Sequence, residues 1–355
     1  MGRCSFGMAH RPFPIMSLMT KRTRWIASLA GLFAATAFLL YVTGFLGLED
    51  ASSNQERERT FVGDLVVNRS VSDSLSTHLL NPEKIVFSGD EIYISDFADH
   101  TVKVFNQDGT FVRSIGRGQG QGPGELMQVG GHDVSKDTVY IVDMMGRKVT
   151  KYASDGQFLS QFSVFHPASR IAVLNDGTVL IVGLGGDLFH AYNTDGDSLG
   201  TFGRFGGDRV LNPLAVDGNL KSRPEYDRFV FVPSYASYLH FLTPRTIEHS
   251  VRGIDGIDYP RSNSDEPQQR YTRPSVKIRQ ADVSLYDDKV YVLTNLPEDQ
   301  APLSYLDVYR YDTGAYLHSY RLPKRVDRVG RHGNRIYTLV KDSALATVYD
   351  LTSTP

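Results

Sequence analysis

Apolar and polar positions follow two different rhythms along this chain. Residues 25–48, "WIASLAGLFAATAFLLYVTGFLGL", contain no charged side chain. About 20 consecutive apolar residues are enough for a helix to span a bilayer, so this run predicts a transmembrane helix. From residue 59 onward the rhythm becomes an alternation of β-branched or aromatic residues with polar ones, in short runs closed by Asp-Gly, Thr-Gly or Thr-Pro pairs. Period-two alternation broken by two-residue turns is how antiparallel hairpins read in sequence.

The alternating part repeats. "DEIYISDFADHTVKVFNQDGTFVRSIG" (90–116) lies over "DTVYIVDMMGRKVTKYASDGQFLSQFS" (137–163) at a constant offset of 47 residues, with Tyr93 over Tyr140, Asp96 over Asp143 and Phe105 over Tyr152. A period of about 40–50 residues marks propeller blades. Looser copies occupy 177–203, 228–251, 289–322 and 335–352. The chain therefore predicts an all-β fold, a six-bladed β-propeller carrying one N-terminal transmembrane helix.

The final copy stops after its third strand, "ATVYDLT", whereas "RTFVGDLVVNR" (59–69) is an alternating strand with no place in the first copy. An open ring leaves unpaired edges. Residues 59–69 are thus expected to supply the outer strand of the last blade and close the ring. The resulting organisation is a basic N-terminus at 1–24, a membrane segment at 25–48, a polar linker at 49–58 and a propeller at 59–355. Residues 258–274, "DYPRSNSDEPQQRYTRP", interrupt the repeat and are expected to form a long exposed loop.

One stretch invites a different reading. "IGRGQGQGPGEL" (115–126) is rich enough in glycine to suggest a phosphate cradle, but it holds no lysine, and the spacing Gly-x-Gly-x-x-Gly fails in every register. The next residues, "MQVGGHDVSKDTVYIVD" (127–143), read as strand, turn and strand rather than the helix whose N-terminal amides an anion needs. The run is expected to turn the chain between blades.

Charge narrows the function and sets the topology. With 38 basic and 40 acidic residues the net charge is −2, which gives no basic face for nucleic acid. Arg3, Arg11, Lys21, Arg22 and Arg24 precede the apolar run, and Glu49, Asp50 and Glu56 come after it. The positive-inside rule then places residues 1–24 in the cytoplasm and the propeller on the periplasmic or extracellular side. The run exceeds the core of a cleavable signal peptide and lacks a small-residue cleavage site after it, which favours an uncleaved signal anchor. The one cysteine, Cys4, lies before the span, so the exported part holds no disulfide.

The segment from "IGRGQGQGPGEL" through "VYIVD", "KVTKYA" and Asp155-Gly156 resembles an NHL repeat, best over 81–163 and more loosely to 203. It departs from the family pattern where the family's Asn and Arg are Asp99 and Thr101 in the first unit and Gly146 and Lys148 in the second. The resemblance implies a six-bladed propeller like the membrane-tethered or exported ones of bacteria, most of which have no established activity. It also implies that the glycine-rich run crosses from the outer strand of one blade to the inner strand of the next.

In such a ring the loops before the inner strands and those between second and third strands gather at one mouth of the channel, where candidate chemistry is sought. Glu83, Arg170 and Asp327 take matching places at inner-strand starts, with Gly130 and Ala281 in the same slot of other blades. The neighbouring loops carry Asp96, Asp99, His100, Asp143, Arg147, Lys148, Asp187 and His190. For Asp96 and Asp143 the structural alternative is to accept turn amides. Glu83, Arg170 and Asp327 would make either a ring of ion pairs or a polar ligand pocket. No HxH, HExxH, Cys/His cluster or GxSxG occurs. These features favour a tethered binding or scaffold module without a cofactor, taking a protein, peptide or glycan partner, with the membrane reached through the N-terminal helix. The alternative is a metal-dependent lactonase or lyase. Gluconolactonase-like propellers hold a divalent cation such as calcium on the axis with a first-blade Glu, two Asn and an Asp, and Glu83 lies where such a Glu could stand; the matching asparagines are not evident, Asn219 lying nearest.

Overall fold

The structure, a computed structural model, describes residues 57–183, 187–205, 216–260, 279–295 and 303–351. The described residues belong to the compact unit Ala51–Pro355. They form six four-stranded antiparallel sheets. The inner strands are Pro82–Ser88, Val129–Ser135, Ala168–Val173, Gly218–Arg223, Arg279–Tyr286 and Arg328–His332, which begin blades 1 to 6 in turn. Each inner strand packs beside the next, and the sixth beside the first, so the ring is closed.

Burial explains the hydropathy pattern. Second strands such as Thr138–Asp143 and Val179–Gly183 are sandwiched between blades and are buried almost without interruption. They read as continuous apolar runs because both faces meet protein. The outer strands Phe111–Ile115 and Phe158–Ser163 meet protein on one face and alternate accordingly. Each junction between blades has its own apolar core. Tyr93, Val104 and Ile141 fill the one between blades 1 and 2, and Phe189, Phe229 and Phe231 the one between blades 3 and 4.

The ring closes as expected, with Leu65–Val67 as the outer strand of blade 6 in the register Leu65↔Leu351 and Val67↔Tyr349. The pairing is shorter than residues 59–69. Gly63 turns the chain at φ 64°, and Phe61 ahead of it bridges Ser319 on blade 5. Three residues cannot cover the seven-residue edge Leu345–Leu351. A helix that the sequence pattern does not announce, Arg69–His78, covers the remainder. Asn68 caps it by accepting from Val71 N, and Val71, Leu75 and Leu79, spaced by four, enter the core between blades 6 and 1. Ser72 Oγ then accepts from Val348 N at 2.9 Å and Ser76 Oγ from Ala346 N at 3.0 Å. The helix satisfies strand amides that an absent partner strand would leave open.

The glycine-rich run crosses from the outer strand of blade 1 to the inner strand of blade 2. Gly116, Gly118 and Gly124 adopt left-handed φ values, and Leu126 N returns to Gly118 O at 3.0 Å. Among the described residues no helix is long and apolar enough to cross a membrane. The span at 25–48, the N-terminus at 1–24, all but the last two linker residues and most of the 258–274 loop lie outside the described residues.

Candidate functional site

The mouth where inner strands begin is closed. In four blades the inner strand gains one residue there, Glu83, Gly130, Ser169 and Ala281, each breaking register with the second strand. Asp327 takes the same place in blade 6, its amide bonded to Leu339 O. The repeat slot in blade 3 thus belongs to Ser169, and Arg170 falls one residue further on, in the row of Lys84, Asn219, Asp282 and Arg328. That row surrounds a space of only about 10 Å³.

Hydrogen bonds fill the remainder of this mouth. Lys84 Nζ donates to Ile171 O at 3.0 Å, Asn219 Nδ2 to Ala281 O at 3.1 Å, and Val329 N to Asp282 Oδ2 at 3.0 Å. Glu83 receives Arg328 Nη2 at 3.0 Å on one oxygen and Lys341 Nζ at 2.5 Å on the other. Burial pushes the Glu83 carboxyl up, but Arg328, Lys341 and Arg170 together outweigh it and hold the group below its ordinary value. A divalent cation on Glu83 would have to displace both cationic side chains, so these residues do not fit the axial metal. Among the described residues no three His, Cys, Asp or Glu side chains cluster as metal ligands.

The remaining expected residues do not converge with Glu83. Asp96 is fully buried and accepts the amides of Leu80, Asn81 and Ala98, while Asp143 accepts those of Met127, Gln128 and Gly146. Both carboxylates hold the incoming chain against the second strand. Asp327 Oδ2 likewise accepts Lys341 N at 2.9 Å. Asp99 pairs with Lys103, and Asp187 with Arg204. His100 and Arg147 occupy left-handed turn positions. His190 is buried edge-on against His166, and its Nε2 meets Asp187 O at 3.0 Å. Burial and then the His166 neighbour push its pKa down.

The open end of the channel is the opposite one, where inner strands finish. There a cavity of about 620 Å³ is walled by residues from all six blades. This is the size range of small-molecule sites. Its floor holds Asp133, Lys221 and Ser284. Asp133 accepts Val134 N, Val173 N and Ser222 Oγ at 2.8–3.0 Å. Lys221 Nζ donates to Ile85 O at 2.9 Å, and burial pushes its pKa down against the pull of Asp282 and Asp133. One wall is aromatic: Phe87 stacks on His332 at 5.0 Å, Tyr286 meets His332 at 5.7 Å, and the Arg331 guanidinium lies 4.9 Å over Tyr286. Across the rim Arg223 lies over Tyr226 and Tyr311 and pairs with Glu225 and Asp288.

Alignment of the repeat points to the other mouth and passes over this end. A signal is nevertheless present in the sequence: "GNLKSR" and "VGGHDVS" place Lys221 and Asp133 inside strands that must be buried. A charge there needs a polar space to face.

A family model described as a 6-bladed beta-propeller matches residues 74–176. No curated protein sequence matches the chain. Among solved structures, an inferred exported protein from Bacteroides fragilis superposes with TM-score 0.56 at 13% identity, over 85% of this chain and 99% of that one. A member of the duf4221 family from Bacteroides vulgatus gives TM-score 0.53 at 9% identity, over 83% of this chain and 98% of that one. A protein of unknown function from Bacteroides thetaiotaomicron gives 0.50 at 11%, over 82% and 73%. At such identities the likeness concerns the fold, which is that of a closed six-bladed β-propeller.

Proposed function

We propose that the chain is an exported, membrane-tethered binding module of NHL type whose ligand occupies the axial cavity at the strand-end mouth. The cavity itself carries the reading. It is large enough for a small molecule, all six blades shape it, and it joins a polar floor to an aromatic wall. In this reading residues 1–24 stay in the cytoplasm, 25–48 anchor the chain and the propeller faces the periplasm or exterior. The apolar run and the basic residues ahead of it support that topology. The opposite mouth, tied up by Glu83, Arg328 and Lys341, serves as a structural plug, and its outer loops are left for a protein, peptide or glycan partner.

The test is ligand-observed NMR on the full chain in detergent with a mixture of sugars, amino acids, organic acids and nucleotides. Asn175→Trp puts an indole on the exposed cavity rim, and Arg147→Trp does the same at the other mouth. Ligands should bind wild type and Arg147→Trp and be lost from Asn175→Trp. Absence of any binder, or binding indifferent to Asn175→Trp, sinks the proposal.

A further inference from the structure

The cavity differs from an ordinary polar hollow in how its charges are matched. At the rim, Arg223 is neutralised by Glu225 at 3.3 Å and Asp288 at 3.5 Å, and Asp287 by Lys289 at 3.6 Å. Inside, the matching stops. Among the described residues neither Arg331 nor Lys221 has a carboxylate within ion-pair distance, although both line the space. Among the described residues the Arg331 guanidinium donates to the carbonyls of Gly333 and Arg335, and its Nε is buried without a hydrogen-bond partner.

Two carboxylates, Asp282 and Asp133, favour the Lys221 charge from beyond ion-pair distance but do not outweigh its burial. Asp133 spends its oxygens on two amides and a hydroxyl. A buried cation without a counter-charge is costly, and proteins keep such groups where a ligand supplies the missing partner. Arg331 is also held in place: Tyr286 and Tyr291 flank it at 4.9 and 5.8 Å, and Ser284 Oγ accepts its backbone amide at 2.9 Å. A guanidinium fixed by stacking loses little freedom when it takes an oxyanion. Beside it Phe87 stacks on His332 and Tyr286 meets that imidazole edge-on, which makes this wall aromatic.

Resting on the binding-module reading, we infer that the axial cavity recognises a small oxyanion with a planar or apolar body, its charged group held by Arg331 and Lys221 and its body laid on the Phe87–His332–Tyr286 wall. Both the charge and the ring contribute, so neither acetate nor a neutral aromatic alcohol is a sufficient ligand.

Calorimetric titration of the full chain with benzoate, phenyl phosphate, acetate, inorganic phosphate and benzyl alcohol tests this. Benzoate or phenyl phosphate should bind at least about tenfold more tightly than the other three, and Arg331→Gln and Lys221→Gln should each cost about tenfold or more. Which of the two aromatic probes wins tells carboxylate from phosphate. Arg331→Lys, which keeps the charge, should retain part of the affinity, and unchanged melting temperatures show that the variants are folded. Benzyl alcohol equal to benzoate, affinity indifferent to Arg331→Gln and Lys221→Gln, or no binding at about 10 mM overturns the inference. A neutral ligand lost only in Asn175→Trp would leave the binding module standing and remove the oxyanion.

Discussion

Arg59 and Asp307 lie 248 residues apart and meet in a two-pronged ion pair, Nε to Oδ1 and Nη2 to Oδ2, each at 2.9 Å. The same Nη2 reaches both oxygens of Asp255 at 2.9 Å, and the guanidinium lies over the Tyr305 ring. This cation fastens the segment leading to the closing strand onto blade 5. The Asp307 side chain is 1% exposed and that of Asp255 7%, so removing Arg59 strands two carboxylates in the interior. Breaking one side of a buried pair costs about 3–5 kcal/mol. Arg59→Met should lower the urea midpoint accordingly, and adding Asp307→Asn should recover part of the loss. Coincident midpoints for the single and double variants would show that the pair does not hold the segment.

The helix at Arg69–His78 acts as the missing length of an edge strand. Ser72→Ala and Ser76→Ala should each leave one strand amide, Val348 N or Ala346 N, without its acceptor. The expected cost is about 1–2 kcal/mol each, with faster hydrogen exchange at those two amides. Exchange that rises equally throughout Leu345–Leu351 would mean that the serines do not act locally.

Elements are legible in the sequence where their tertiary context repeats. Tyr93 and Tyr140 sit in equivalent inter-blade cores, so selection on them writes the same pattern at a fixed offset. The closing strand was legible for a similar reason, since a ring one strand short demands a donor. The helix was not. Its serines carry no strong helix propensity, and its three core residues look like chance until the edge they cover is seen. Alignment by apolar pattern puts Arg170 one residue out of place because a bulge adds a position that the pattern does not count. The cavity escaped because the inner-strand slot that holds Asp133, Lys221 and Ser284 carries a different residue in every blade, and a site made by the differences between blades is invisible to their similarity.

Glu83 is predicted to be a structural anchor at the plugged mouth. Glu83→Gln removes the charge that Arg328 and Lys341 share, at a cost of about 2 kcal/mol for a mostly buried pair. Its folded pKa lies below the ordinary 4.5. A depressed carboxylate stabilises fully above the unfolded value, and that contribution is lost as pH falls through the folded one. Wild type should therefore lose stability below pH 4.5 more steeply than Glu83→Gln. Calcium should leave the melting temperature of both unchanged. A calcium-dependent rise in wild type that Glu83→Gln abolishes would restore the axial metal.

Lys84 should make the propeller more stable as the solution becomes alkaline. It is buried on the axis, and burial, reinforced by repulsion from Lys221, pushes its pKa down from 10.5 to about 7. Between those values the unfolded chain holds a proton that the folded chain has released, so unfolding takes up a proton and stability rises with pH. The slope for one such group is at most about 1.4 kcal/mol per pH unit. Lys221, depressed in the same direction, adds to it. Tyrosines such as Tyr140, raised from 10.0 by burial, act oppositely at higher pH and end the window near there. Urea midpoints should climb between about pH 7 and 9.5, and Lys84→Met should flatten the climb while leaving the tyrosine-driven fall in place. An identical pH profile in wild type and Lys84→Met would show that the axial lysine keeps its proton in the folded ring.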